Sequence, residues 1–175
     1  MKLDGFGIFV EDMGNMIRFY KDVLGFEIKE SEDTSNVYLV KDGTLFLLYG
    51  RKDFEKMTSR KYEYIKGLNG HFEIALYVDT FEEVDSAYEQ AISKGAKSVL
   101  PPETEPWGQR TCYIADPENN LIEIGSFNRP FDERNWVFEN TKIKKSSEYN
   151  PKFYWFCKKV GIIFQKNAFE RLLEK

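Results

Sequence analysis

The sequence predicts an α+β fold built from two β-α-β-β-β halves. One observation is a hairpin pattern near the end of the second half, over residues 107–124. The other is an internal repeat, because aligning Val10 with Val78 also aligns Tyr20 with Tyr88, both at an offset of 68 residues. A repeat of this length, in which turns and helix caps also correspond, indicates two copies of one supersecondary unit.

The hairpin is centred on residues 116–120, Asp-Pro-Glu-Asn-Asn. Proline fixes φ, aspartate bonds its own backbone and asparagine tolerates the left-handed region, so these residues predict a tight turn. Alternating and β-favouring residues predict strands at 109–115 and 121–126. On the second strand Glu123 lies opposite its apolar neighbours, so its carboxylate faces the space that the sheet encloses.

The first half begins with a predicted strand over residues 6–10. Asp12 caps a helix over residues 13–24, which Gly25 ends. The dipeptide Asp-Gly at 42–43 predicts a hairpin between two of the later strands. Three strands complete this half, at 26–31, 36–41 and 44–49.

The charged residues 50–68 are predicted to form a linker or short helix, or else a basic lip over a pocket. A strand over 71–78 then opens the second half. Thr80 and Glu83 form a capping box, and the helix that follows ends at Gly95. The remaining strands are predicted at 97–100, 109–115 and 121–126.

Composition indicates a soluble globular protein of 175 residues, 42% hydrophobic and 31% charged. Cys112 and Cys157 make no disulfide framework, so we expect a cytoplasmic location, with Cys112 facing inward from its strand. The net charge of −4 argues against nucleic acid, and no apolar run predicts a membrane span.

Residues 129–175 differ in charge from the rest of the chain. They carry 11 Lys and Arg against 6 Asp and Glu, whereas residues 1–128 carry 14 against 23. This aromatic-rich, basic C-terminal extension predicts helices at 150–161 and 168–173. We expect this extension to pack on the acidic residues 1–128, to cover a cleft or to seal a dimer. The alternative is a helical face exposed to solvent.

The hairpin resembles the vicinal-oxygen-chelate superfamily, which includes glyoxalase I, extradiol dioxygenases and bleomycin-resistance proteins. The resemblance covers about residues 1–128 and implies two βαβββ modules, at about 1–50 and 70–128. It implies that their eight strands curve around a cleft. Asn119 replaces the glycine usual at its position. The matching residues are Gly108, Arg110, Tyr113, Asp116, Pro117, Asn120 and Glu123.

The resemblance places four metal-ligand positions on Gly5, Phe46, Glu73 and Glu123. Metal-bearing members usually carry two histidines there with one or two glutamates. Glycine and phenylalanine supply no ligand, and the chain has one histidine, His71. One chain therefore cannot build a two-His-one-carboxylate triad. We expect no cofactor, the alternative being a divalent metal ion at His71, Glu73 and Glu123.

Glu73 and Glu123 are also the candidate catalytic residues. Two carboxylates facing each other across a closed cleft share a proton, which raises one pKa and suits a general base. The alternative is that they bind water, a cationic ligand or Arg110.

The resemblance to bleomycin-resistance proteins implies binding of a small, partly aromatic or cationic molecule without metal. The alternatives are a metal-dependent lyase, isomerase or dioxygenase, and a scaffold whose extension binds a protein. We also expect a homodimer, because the superfamily commonly pairs modules between chains. Besides the two glutamates, the expected ligand-binding residues are Phe9, Phe46, His71, Tyr77, Trp107, Arg110 and Tyr113.

Overall fold

The computed structural model describes residues 3–106 and 108–131, which form two consecutive modules. The predicted extension helices and Trp107 lie outside the described residues. The first module contains β1 (Gly5–Val10), α1 (Met13–Arg18), a π-helical turn (Phe19–Val23), β2 (Asn36–Lys41) and β3 (Thr44–Gly50). A connecting helix, α2 (Arg51–Thr58), follows. The second module contains β4 (Asn69–Tyr77), α3 (Phe81–Ser93), β5 (Lys97–Thr104), β6 (Arg110–Ala115) and β7 (Asn120–Ser126).

Each module forms its own sheet. The strand order is β1-β3-β2 in the first and β4-β7-β6-β5 in the second. In both, the opening strand lies at one end of the sheet and pairs in parallel with the last strand of the module. This shared topology confirms the internal repeat and the α+β class. No helix in the described part of the chain is long and apolar enough to cross a membrane.

The strand predicted at 26–31 is absent, so the described residues contain seven strands rather than eight. The N–H of Ile28 bonds the carbonyl of Phe26 at 2.9 Å, which makes a tight turn. The N–H of Tyr38 on β2 donates to the carboxylate of Glu30 at 3.3 Å. The side chains of Phe26 and Ile28 are still buried. The apolar pattern of this segment therefore reflected packing rather than strand pairing.

Both predicted helix caps are confirmed. The Asp12 carboxylate accepts the N–H of Asn15 at 3.0 Å. Thr80 and Glu83 form a complete capping box, since each side chain accepts the backbone N–H of the other residue, at 2.8 and 3.2 Å. These bonds satisfy N–H groups that a helix end leaves unpaired, and so they fix where both helices begin.

The helix-facing sides of the two sheets share one core. Buried residues of the first module pack in the same cluster as those of the second. Its most enclosed members include Val10, Met16, Tyr20, Leu48, Val84, Ile114 and Ile122. The opposite sides of both sheets are more open, as alternate residues along β1 and β4 are exposed. A ligand cleft is therefore expected on those open sides or where the modules meet.

The β6–β7 turn, residues 116–120, joins the modules. Glu118 accepts the N–H groups of Glu11 and Asp12 at 2.7 and 2.9 Å through one carboxylate oxygen. The other oxygen accepts from the Arg51 guanidinium at 2.7 Å. Arg51 also pairs with Glu11 at 2.8 Å and lies over the Tyr64 ring. The largely buried ion pair between Arg51 and Glu118 fixes the first module and α2 against the turn.

A second contact from the same turn is buried. The Tyr20 hydroxyl donates to the Asp116 carboxylate at 3.1 Å. That carboxylate also accepts the N–H groups of Glu118 and Asn120, as the turn prediction required, and Asn119 adopts φ 66°. Burial raises the pKa of Asp116, and the donors from Asn120 and Tyr20 oppose that rise.

Candidate ligand-binding cleft

A cavity of about 1090 Å³ lies where the two modules meet, along β4. Because β4 is the end strand of its sheet, no strand of the described residues pairs with its outer edge. Consecutive side chains of a strand point to opposite faces, yet both sets line this cavity. It therefore passes around the edge of β4. The lining residues of β4 are Glu73, Ala75 and Tyr77 on one face and Ile74 and Leu76 on the other.

Glu123 is held on the first of these faces by one side chain from β6 and one from the residue that precedes β6. Its carboxylate accepts the Thr111 hydroxyl at 2.9 Å and the Gln109 amide at 3.2 Å. Burial raises the pKa of Glu123, and the negative charge of Glu73 adds to the rise, whereas the Thr111 and Gln109 donors oppose it. The group is thus oriented and is more readily protonated than a surface glutamate.

Gly125 makes the contact between Gln109 and Glu123 possible. A Cβ at residue 125 would lie 2.6 Å from the Gln109 amide nitrogen, closer than a Cβ approaches a non-bonded atom. The absence of a side chain lets that amide cross the strand to reach the carboxylate. Thr111 and Gln109 were not among the predicted site residues, although alternation along the predicted strand 109–115 places both on the face of Glu123.

Tyr113 lies beside the two carboxylates, since it is the cross-strand partner of Glu123. Burial raises its pKa, and the charges of Glu123 and Glu73 raise it further. The phenol therefore stays protonated and acts as a hydrogen-bond donor. Tyr113 supports the acidic face without lining the cavity.

The residues that follow β7 complete the wall of the cavity. The Tyr77 hydroxyl accepts the N–H of Phe127 at 3.2 Å and donates to the carbonyl of Arg129 at 2.9 Å. Phe131 packs edge-on against Tyr77, with ring centroids 5.9 Å apart, and its N–H donates to Asp79 at 2.8 Å. Tyr77 was predicted to bind the ligand; it lines the cavity and also anchors this segment, whose Phe127 and Phe131 line the cavity as well.

Comparison with known proteins agrees with this architecture. The family model for the Glyoxalase/Bleomycin resistance protein/Dioxygenase superfamily matches residues 2–124. The chain belongs to this superfamily. The uncharacterized Bacillus subtilis protein YraH is 30% identical over 127 residues, which are 71% of this chain and 97% of that protein.

Solved structures of the superfamily share the fold. A family enzyme from Burkholderia phytofirmans has a TM-score of 0.63 at 26% identity, and the match covers 73% of this chain and 99% of that one. A lactoylglutathione lyase from Agrobacterium tumefaciens has a TM-score of 0.58 at 20% identity, covering 71% and 92%. Both matches therefore cover a little over seven tenths of this chain and nearly all of the related chains.

The metal-ligand positions of the superfamily do not assemble a metal site here. A Cβ at Gly5 would lie 2.5 Å from the carbonyl oxygen of Leu45, so the position has no room for a ligand side chain. Gly5 pairs with Leu45, whereas Phe46 pairs with Phe6 and faces the core, with its ring 5.3 Å from that of Tyr20. Phe46 still reaches the apolar side of the cavity.

The alternative set of His71, Glu73 and Glu123 is not brought together either. His71 is exposed in an irregular part of β4, where the register shifts between Asn69 and Glu73. Its backbone N–H bonds the Asn69 side chain at 2.9 Å. Across residues 3–106 and 108–131, no three His, Cys, Asp or Glu side chains are placed to hold a metal ion. The donor set therefore does not fit a metal.

Two other predicted ligand-binding residues point away from the cavity. Phe9 is exposed and packs against Phe54 of α2, with ring centroids 4.3 Å apart. Arg110 pairs with Asp85 of α3 at 2.7 Å and donates to Thr104 at 3.1 Å. Thr111 and Tyr113 of β6 lie on the face of Glu123, and Arg110 lies on the opposite face, toward α3. Arg110 therefore cannot pair with Glu73 or Glu123.

Cys112 occupies the same helix-facing side and is fully buried, as predicted. Burial raises the pKa of its thiol to about 12. At neutral pH the thiol is protonated, and so it is not a nucleophile.

Proposed function

We propose that this glyoxalase-superfamily protein binds a small, partly aromatic, cationic molecule in the cleft. The observation that carries this proposal is the oriented carboxylate of Glu123 beside Glu73 in a large cavity. Four acidic residues line that cavity against one basic residue, Lys41, which pairs with Asp42 at 2.6 Å. Aromatic walls from Tyr77 and Phe127 add surfaces on which a flat cation stacks.

The experiment compares phenylguanidinium with its neutral near-isostere phenylurea by calorimetry. We expect phenylguanidinium to bind more tightly, with an advantage that grows about three- to fivefold between pH 5 and pH 8. The sign follows from the raised pKa of Glu123, because the carboxyl is neutral below that pKa and attracts a cation only above it. Equal affinities, or the same pH dependence for both compounds, would contradict the proposal.

A metal-dependent lyase, isomerase or dioxygenase is the alternative function, and the donor set argues against it. We expect protein purified without chelator to contain far less than one Zn, Ni or Fe per chain by elemental analysis, since Gly5 and Phe46 supply no ligand. About one metal ion per chain, lost on Glu123→Ala, would instead establish the metal enzyme. Glu73 and Glu123 would then be its catalytic candidates.

We also propose a homodimer in which a second copy covers the open sheet faces. Glu73 and Ala75 on β4 and Gly7 and Phe9 on β1 are exposed. An apolar and acidic face of this kind is stabilised by a partner that completes the cleft. Light scattering should give the dimer mass at tens of micromolar, and a monomer mass would contradict this. A dimer that survives deletion of 132–175 would assign the interface to the sheets.

A further inference from the structure

We infer that the ligand is an amphipathic cation with a flexible apolar chain, an inference that rests on the proposed function and narrows its ligand class. The cationic head lies at Glu73 and Glu123. The chain passes the outer edge of β4 and fills the space between α3 and the first module.

The cavity has two chemically different sides that meet at that edge. One side carries Glu73, Glu123 and Gln109. The other side is formed by β4, α3 and the first module, and its apolar residues include Phe6, Leu24, Phe46, Ile74, Leu76 and Ala87. The charged residues of this side have partners, since Lys41 pairs with Asp42 and Glu83 caps α3.

The open edge of β4 is what connects the two sides. A strand paired on both edges separates the faces of its sheet, so one compact ligand contacts only one face. Here β4 pairs with β7 alone among the described strands. Phe72 of β4 contacts Phe6 of β1, with ring centroids 5.2 Å apart, so the modules touch at this point. Beyond it, from Glu73 to Tyr77, residues of both faces of β4 line the cavity, and a thin chain passes from one face to the other along this part of the edge.

The size of the cavity also requires more than a head group. Pockets of roughly 300–1,000 Å³ hold drug-sized ligands, and this one is about 1090 Å³. A compact cation at the carboxylates would leave the apolar side in contact with water, which is unfavourable. An uncharged lipid would fill that side but would leave the two carboxylates of the other side without a compensating charge. A cation with an alkyl chain satisfies both sides.

The test is a series of n-alkylguanidinium ions, from propyl to octyl, titrated into the full-length protein by calorimetry. Each methylene that enters the apolar side should raise the affinity about fourfold, the effect of burying one CH₂. Ala87→Phe fills the apolar side from α3 and should abolish this dependence on chain length. Ser86→Phe, at an exposed position lining the same side, serves the same purpose should Ala87→Phe fail to fold. Ala75→Phe is the matched control on the acidic face, and it should weaken every member equally.

A rise with chain length in the wild type that is lost in Ala87→Phe or Ser86→Phe supports the inference. Alkylguanidinium ions that bind with the same affinity at every length would overturn the inference while leaving the cation-binding function intact. A chain-length dependence that survives both blocking substitutions would also overturn it, because the chain would then lie elsewhere. Absence of binding by both alkylguanidinium and phenylguanidinium would overturn the proposed function and this inference together.

Discussion

Glu118→Ala is expected to lower the free energy of unfolding by about 3 kcal/mol. The substitution removes the more buried of the two carboxylate partners of Arg51, whose side chain is 19% exposed, and leaves two backbone N–H groups without their acceptor. Breaking a largely buried ion pair is strongly destabilising because the remaining charge stays away from water. The contact also joins the two modules, so its loss should reduce the cooperativity of unfolding.

Urea unfolding followed by circular dichroism measures this effect, with Glu32→Ala as the matched control. Glu32 pairs with Arg18, and both side chains are more than half exposed. Exposed pairs contribute about 0–1 kcal/mol, so the control should unfold almost as the wild type does. A loss of under about 1 kcal/mol in Glu118→Ala would show that the β6–β7 turn does not hold the modules together.

Local features with short-range physical causes were predictable from the sequence. The turn at 116–120 and both helix caps depend on side chains that bond backbone groups two to four residues away. The strand at 26–31 failed for the opposite reason. Its apolar residues are buried, but strand pairing depends on a distant edge, and the Glu30 side chain occupies a backbone donor of that edge.

The site was predictable where regular alternation holds. Alternation placed Glu123 on the cleft face, and the same rule applied to β6 would have selected Thr111 and excluded Arg110. It failed for His71, because the register shift in β4 breaks the period of two. Phe127 and Phe131 carried no such pattern, since their place depends on hydrogen bonds to Tyr77 and Asp79.

In the proposed complex, the ligand cation lies between Glu73 and Glu123. Glu73 is exposed, so Glu73→Gln removes charge and keeps shape with little effect on folding. A charge-assisted hydrogen bond to a ligand contributes more than a neutral one. We expect phenylguanidinium to bind about tenfold more weakly to this variant, equivalent to about 1.4 kcal/mol.

Calorimetric titration of Glu73→Gln with both phenylguanidinium and phenylurea is the most direct measurement of this claim. Glu89→Gln, an exposed glutamate of α3 outside the cavity lining, controls for the change in net charge. We expect Glu73→Gln to lose affinity for phenylguanidinium alone, and Glu89→Gln to keep its affinity for both compounds. An equal loss for phenylguanidinium and phenylurea would contradict this expectation, because Glu73 would then act through packing or hydrogen bonding rather than through its charge.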